Sequence, residues 1–382
     1  MPVLPIFDPK DFRIPTGVTH VCAAGETPFL HQHDAALHQY VLDKSAGARG
    51  RTAQEAVVER VREQVAGLWQ VSALDIGWVG SVAEGVSIVL ESMDWLPGDN
   101  VCVMATEYPS LVAPFLARTS TPYQVRLAAP ASVDAIIEQI DARTRVVLLS
   151  YVSYLNGERF ALASLRRAAD AVGALLIVDY TQASGYLPVQ ADLADFAFSA
   201  SYKWMLGMTG VATAYWNRAR QPHWRPGTAG WYSLANDKTH YEDGVTMRAD
   251  ALCFTRGNPA HASLYVLSSA LDYLTQYDAH EIEAHVQRLT TDLLQRLYAM
   301  GVQSSTPVDP SRHGASVCMA RPDAKALHGL LDQRHVLAWN GRGRLRFSFH
   351  GYNGTADVDR IESALAQSLR LSQHDASPIR LA

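Results

Sequence analysis

Apolar residues in this chain fall into two kinds of stretch, short unbroken runs and longer periodic stripes. The runs at 75–79, 101–105, 144–151, 174–178, 196–200 and 211–216 are what strands covered on both faces require. A weaker strand falls at 123–127, and a short strand and turn at 20–25. Between the runs, helical spacing predicts helices over 33–43, 52–69, about 82–95, 111–118, 131–140 and 164–171. In the 52–69 helix Val57, Val61, Val65 and Leu68 share one face, and Thr52 with Glu55 reads as a capping box. Strand, helix, strand, repeated, predicts a doubly wound α/β sheet. Past residue 260 the order changes. Helices over 261–277, 280–300, 324–333 and 355–370 interleave with strands at 315–320, 335–339 and 343–348. That pattern suggests a smaller α+β domain, ending in a frayed tail over 372–382.

Length and composition narrow the class without naming it. The 382 residues exceed the usual size of a single core, so one large and one smaller domain are expected. A net charge of −5 gives no reason to expect nucleic acid or an anionic membrane as partner. The first fifteen residues lack the pattern of a secretory signal, and no apolar run approaches a membrane-spanning length. Cys22, Cys102, Cys253 and Cys318 are scattered without metal or redox spacing. They read as reduced thiols of a cytoplasmic protein, and no metal site is expected.

The chemistry concentrates between Leu175 and Trp216. A buried strand there ends in the carboxylate of Asp179, and ligands of open parallel sheets bind at such carboxyl ends. Lys203 follows in Ser-Tyr-Lys-Trp, ahead of Gly207 and Gly210. Taken alone, the pair has two readings. Asp179 can be a satisfied strand-end acid and Lys203 a turn residue. Alternatively Lys203 forms a Schiff base with an aldehyde cofactor whose ring nitrogen Asp179 keeps protonated.

The whole stretch, Asp179-Tyr180-Thr181-Gln182 with Ser201-Tyr202-Lys203-Trp204 and a Gly-x-x-Gly, resembles the fold-type I pyridoxal phosphate enzymes. Within them it is similar to the class V aminotransferases, a group that includes cysteine desulfurases, kynureninases and isopenicillin-N-epimerase-like proteins. The resemblance implies a large doubly wound, mainly parallel domain over 21–260 and a small α+β domain over 261–382, which an N-terminal arm, 1–20, joins. It implies pyridoxal 5′-phosphate as cofactor and a homodimer with the active site at its interface.

Site roles follow by position. Lys203 carries the cofactor and serves as general base, Asp179 holds the ring nitrogen, and Gln182 bonds the phenolic oxygen. Tyr108 stacks on the ring, and Tyr154 sits at the phenolic oxygen or the substrate. The turn Gly80-Ser81-Val82-Ala83-Glu84-Gly85 suits a phosphate because it opens a helix. It departs from the family, which usually carries a hydroxyl or amide residue where Val82 and Ala83 stand. Ser201, Tyr202 and Asn258 complete the phosphate contacts, Asn258 across the dimer interface in place of a threonine. Arg346 grips the substrate carboxylate through its planar fork, and His20 is a further substrate candidate. Arg342 and Arg344 read as solvated surface.

The reaction type stays open. Desulfurases need a nucleophilic cysteine on a loop before the arginine strand. Here the connection is Asn340-Gly341-Arg342-Gly343, short and without cysteine. The resemblance therefore favours an aminotransferase-type enzyme acting on a small amino acid through a Cα carbanion, with a C–S or C–C lyase or an epimerase as alternatives. A non-catalytic binding protein of this fold would be expected to have lost Lys203 or Asp179, and both are present. The aromatic loop over 223–245 does not disclose a substrate.

Overall fold

A computed structural model describes residues 2–118, 120–235, 240–242 and 244–375. The last seven residues of the expected tail, and residues 236–239 and 243 of the aromatic loop, lie outside the described residues. The strands are β1 (Thr19–His20), β2 (Ile76–Val79), β3 (Asn100–Met104), β4 (Gln124–Ala128), β5 (Thr144–Ser150), β6 (Leu175–Asp179), β7 (Phe196–Ala200), β8 (Ala212–Trp216), β9 (Ser316–Ala320), β10 (Val336–Leu337), β11 (Trp339–Gly341) and β12 (Arg344–Ser348). The helices are α1 (His33–Ser45), α2 (Gly47–Trp69), α3 (Val82–Glu91), α4 (Pro109–Leu116), α5 (Val133–Ile137), α6 (Leu162–Val172), α7 (His261–Leu274), α8 (Ala279–Ala299), α9 (Ala324–Asp332) and α10 (Thr355–Asp375).

The chain divides into two units. The larger takes 32–153 and 160–276, and the smaller takes 1–31, 154–159 and 277–382. These boundaries differ from 21–260 and 261–382. Helix α7 belongs to the larger unit because it packs along α1 and α2. Residues 154–159 belong to the smaller one, where Arg159 pairs with Glu283 at 2.8 Å.

The larger unit is built on a seven-stranded sheet of order β2-β8-β7-β6-β5-β3-β4. Only β8 runs against its neighbours, and the others are parallel. The unbroken apolar runs are explained directly: β3 and β8 are buried at every position, and β6 at all but Leu175. The register sets Ser150 at the end of β5 beside Asp179 at the end of β6. The carboxyl ends of β5 and β6 therefore carry polar groups, while their middles lie in the core.

Helix α3 lies against this sheet at Gly85. A Cβ there would fall 2.2 Å from Cε1 of Phe198 on β7. Gly85→Val is expected to destabilise the larger unit by about 1–3 kcal/mol, the usual penalty for overpacking a filled core. Denaturant unfolding checks this, and an unchanged midpoint would contradict it.

Helix α2 corrects the sequence reading. It begins at Gly47, five residues before Thr52, so Thr52 and Glu55 are not its cap. Thr52 lies inside the helix, its hydroxyl donating back to the Ala48 carbonyl at 3.3 Å. The early start is possible because Gly50 packs against the end of α1, where a Cβ would fall 1.6 Å from the Asp43 carbonyl oxygen.

In the smaller unit, β9, β12 and β11 form an antiparallel sheet and β1 pairs with β10 in parallel. The single strand expected over 335–339 is thus two short strands in different sheets. Between β11 and β12 the chain turns over two residues, Arg342 and Gly343, both with positive φ (53° and 69°). That is the geometry of a tight hairpin turn.

Candidate active site

Asp179 closes β6 and is 4 % exposed. One of its oxygens accepts from the Thr181 N–H at 2.8 Å, and the Thr181 hydroxyl in turn accepts from the Ala200 N–H at 2.9 Å. This stitches the ends of β6 and β7 together. Burial pushes the Asp179 carboxyl up from its ordinary value, while the bonds from Thr181 and the charge of Lys203 hold it down. A buried carboxylate that feels the lysine ammonium and accepts an N–H bond is suited to holding a second cation.

Lys203 follows β7 in a tight turn and is 5 % exposed. The turn is closed from within. The Leu206 N–H donates to the Lys203 carbonyl and the Gly207 N–H to the Ser201 carbonyl, each at 2.9 Å. The Ser201 hydroxyl lies 2.9 Å from the Met208 carbonyl oxygen and 3.0 Å from that of Val211. Trp204 donates its indole N–H to the Gln182 side-chain oxygen at 3.1 Å. Gly185, with φ 113°, makes room for this turn, since a Cβ there would lie 2.2 Å from the Trp204 carbonyl oxygen. The lysine amine sits 5.5 Å from the centre of the Tyr108 ring and 5.4 Å from that of Tyr202.

Gly80 and Ser81 lead into α3. The Ser81 hydroxyl accepts from the Glu84 N–H at 3.2 Å, and the Glu84 carboxylate accepts from the Gly80 N–H at 2.6 Å. This reciprocal cap accounts for Glu84 in the motif. The Ser81 proton can still be donated, and the first N–H groups of a helix have no partner within it.

These parts converge on one cavity of about 240 Å³ in the larger unit, lined by Gly80, Ser81, Val82, Tyr108, Asp179 and Lys203 among others. Tyr202 also lines it. Ala83, Gln182, Ser201 and Asn258 are not in its wall. Gln182 is taken up by Trp204 and Ser201 by its own loop, while Asn258 is exposed. Thr181, Thr209 and Gly210 line the cavity and were not assigned from the sequence. The signal for Thr181 was a hydroxyl residue two positions after a strand-end aspartate, the spacing of a local side-chain turn.

The donor set fits pyridoxal phosphate. A buried carboxylate suits the ring nitrogen, a buried amine the aldehyde, and an aromatic ring the ring face. The start of α3, where Gly80 leaves the backbone bare, suits a phosphate. The volume lies just under the ~300–1,000 Å³ of pockets for larger ligands, as a single small ring requires.

The remaining candidates belong to the smaller unit. Arg346, buried on β12, donates to the Tyr154 carbonyl oxygen at 2.9 Å, with its guanidinium 4.7 Å from the centre of the Trp339 ring. Arg342 is exposed, as expected of a surface residue, yet it is not without a partner. It donates to the Tyr154 hydroxyl and lies 5.1 Å from the centre of that ring. The hairpin turn, by holding Arg342 at positive φ, sets it there. Tyr154 is thus engaged by two arginines of its own unit. His20 lies 3.2 Å from the Tyr352 hydroxyl, and burial lowers its pKa to about 4, so its ring is neutral at pH 7. Among the described residues no cluster of three metal-ligating side chains occurs, and no helix is long and apolar enough to cross a membrane.

The sequence profile of the family described as aminotransferase class V matches residues 23–361. The chain belongs to that family. A probable cysteine desulfurase of Methanothermobacter thermautotrophicus is 24 % identical over 392 aligned positions, covering 94 % of this chain and 96 % of the relative. Among solved structures, the cystine C–S lyase C-DES in complex with its product cysteine persulfide superposes with a TM-score of 0.84 at 18 % identity, covering 92 % of this chain and 98 % of that one. A C-DES variant with glycine covalently linked to its pyridoxal phosphate superposes with 0.86 at 18 % identity, covering 94 % and 99 %. The doubly wound fold-type I architecture expected from the sequence is the one observed.

Proposed function

We propose that this class V enzyme is a pyridoxal phosphate-dependent C–S lyase acting on a small sulfur-containing amino acid by β-elimination. The observation that carries the reading is the placement of the thiols. Cys102, Cys253 and Cys318 are buried and burial raises the pKa of each. The turn before the Arg346 strand is two residues long and has no cysteine. No thiol on that turn can carry sulfur away from a substrate, which disfavours a desulfurase that works through its own persulfide. Cleavage that releases the sulfur compound directly needs no such thiol.

When bound, pyridoxal phosphate supplies an electrophilic aldehyde and a sink for the electron pair left at Cα. Lys203 would hold it and would move the Cα proton at its Nζ. Asp179 would keep a proton on the ring nitrogen. The Tyr108 ring would shield it from water, and Ser81 with the N–H groups at the start of α3 would hold the phosphate. Arg346 would hold the substrate carboxylate. With cystine the overall change is cystine plus water to pyruvate, ammonia and cysteine persulfide. A homodimer in which exposed Asn258 reaches the neighbouring copy's phosphate goes with this reading.

Product analysis tests it. Wild-type enzyme loaded with cofactor and given cystine or S-substituted cysteines is expected to release pyruvate and ammonia in equal amounts. Accumulation of pyridoxamine phosphate and a keto acid would establish transamination instead. Cys22→Ala is expected to keep turnover within about twofold, the small effect of changing a side chain outside the chemistry. A loss of several hundredfold would point to a persulfide-forming desulfurase.

A further inference from the structure

Glu107 directly precedes Tyr108, which lines the cavity, and has no part in the chemistry above. It follows β3, is buried, and receives three hydrogen bonds. One of its oxygens accepts from the Tyr108 N–H and from the Ser150 hydroxyl, each at 2.6 Å. The other accepts from the Ser150 N–H at 2.8 Å. Ser150 is the cross-strand neighbour of Asp179. One carboxylate therefore joins the turn that carries Tyr108 to the strand ends that carry Asp179.

That arrangement works against the cost of burying a charge. Burial raises the Glu107 pKa, and the charge of Asp179 pushes it the same way. An apolar side chain would fill the space without that penalty. Three donors aimed at two oxygens call for a carboxylate, whose oxygens are both acceptors.

We infer that Glu107 is a positioning residue of the cofactor site, which locks the Tyr108 turn to the ends of β5 and β6 and so fixes the Tyr108 ring over the cofactor held by Lys203. The inference rests on the cofactor reading given above. In Glu107→Gln the amide oxygen can replace one carboxylate oxygen, but its NH₂ group then faces the Ser150 N–H or the Tyr108 N–H, donor against donor.

The test is reconstitution of the apo-protein with pyridoxal phosphate, reading its dissociation constant and the induced circular dichroism of the bound cofactor. Glu107→Gln and Glu107→Ala are expected to weaken binding roughly 10- to 100-fold, the range for losing a hydrogen bond to a charged group, and to reduce the dichroism per bound cofactor. Ser150→Ala, which keeps both N–H bonds but removes the hydroxyl bond to the carboxylate, is expected to weaken binding roughly 10-fold, the low end for one hydrogen bond to a charged group. In a Tyr108→Ala background Glu107→Gln is expected to add little, because its effect passes through Tyr108. Wild-type affinity and dichroism in Glu107→Gln would overturn the inference, as would an undiminished loss in the Tyr108→Ala background. Should neither Glu107 variant fold, an unchanged dissociation constant and dichroism in Ser150→Ala would overturn it. A wild-type protein that binds no pyridoxal phosphate would instead defeat the cofactor reading.

Discussion

Replacing Lys203 by alanine is expected to lower kcat by at least about a thousandfold, since a positioned general base alone contributes ~10²–10⁴. The amine has two tasks that no neighbour can take over. On the proposed reading it would anchor the cofactor, and it would move the Cα proton. Its surroundings hold it for both. The turn around it is closed by its own backbone, Trp204 is pinned to Gln182, and the ring of Tyr108 stands 5.5 Å from the amine. Because the backbone closure and the Trp204–Gln182 bond do not involve the Lys203 side-chain nitrogen, the variant should fold, with a melting temperature near that of wild type. Kinetics with cystine under saturating cofactor check the prediction. Activity within tenfold of wild type would contradict it.

Asp179→Asn is expected to cost about 10²–10³ in kcat, the effect of removing one preorganised electrostatic contact in a buried site. Asparagine matches the size of the side chain and its oxygen can still accept from the Thr181 N–H, which now reaches Asp179 at 2.8 Å. The stitch between β6 and β7 should therefore persist. What is lost is the negative charge that Lys203 feels and that a protonated ring nitrogen would need. The signature is a fall in kcat with a smaller change in cofactor affinity, measured as the dissociation constant of pyridoxal phosphate. A variant with the full loss in affinity and no loss in kcat would show that Asp179 acts only as a wall.

Much of this site was legible before the fold was seen, for physical reasons. Buried parallel strands must be continuously apolar, so Asp179 stands out as the first charge after such a run. Lys203, between two aromatics and ahead of two glycines, stands out in the same way. The Ser81–Gly85 turn was legible because a helix cap and a close helix–sheet approach each select few residue types, here Glu84 and Gly85.

What the sequence hides has a common cause. Ser201 and Gln182 bond within the loop around Lys203, and no spacing reveals which way a polar side chain turns. Arg342 is on the surface as read, but its bond to Tyr154 was hidden because that partner is 188 positions away in sequence. Thr52 matched a capping box, yet the boundary of α2 was decided by the packing of Gly50 on α1. Glu107 was visible as a charge after β3, but its role depends on Ser150, 43 positions further on.

The most direct measurement is to load the purified protein with pyridoxal phosphate, reduce it with borohydride, and map the modified residue by peptide mass spectrometry. The account predicts one pyridoxyl phosphate group per chain, on Lys203, and none in a Lys203→Ala control. Modification at another lysine, or none at all despite full occupancy, would contradict the assignment of the cavity beside Asp179 as the active site.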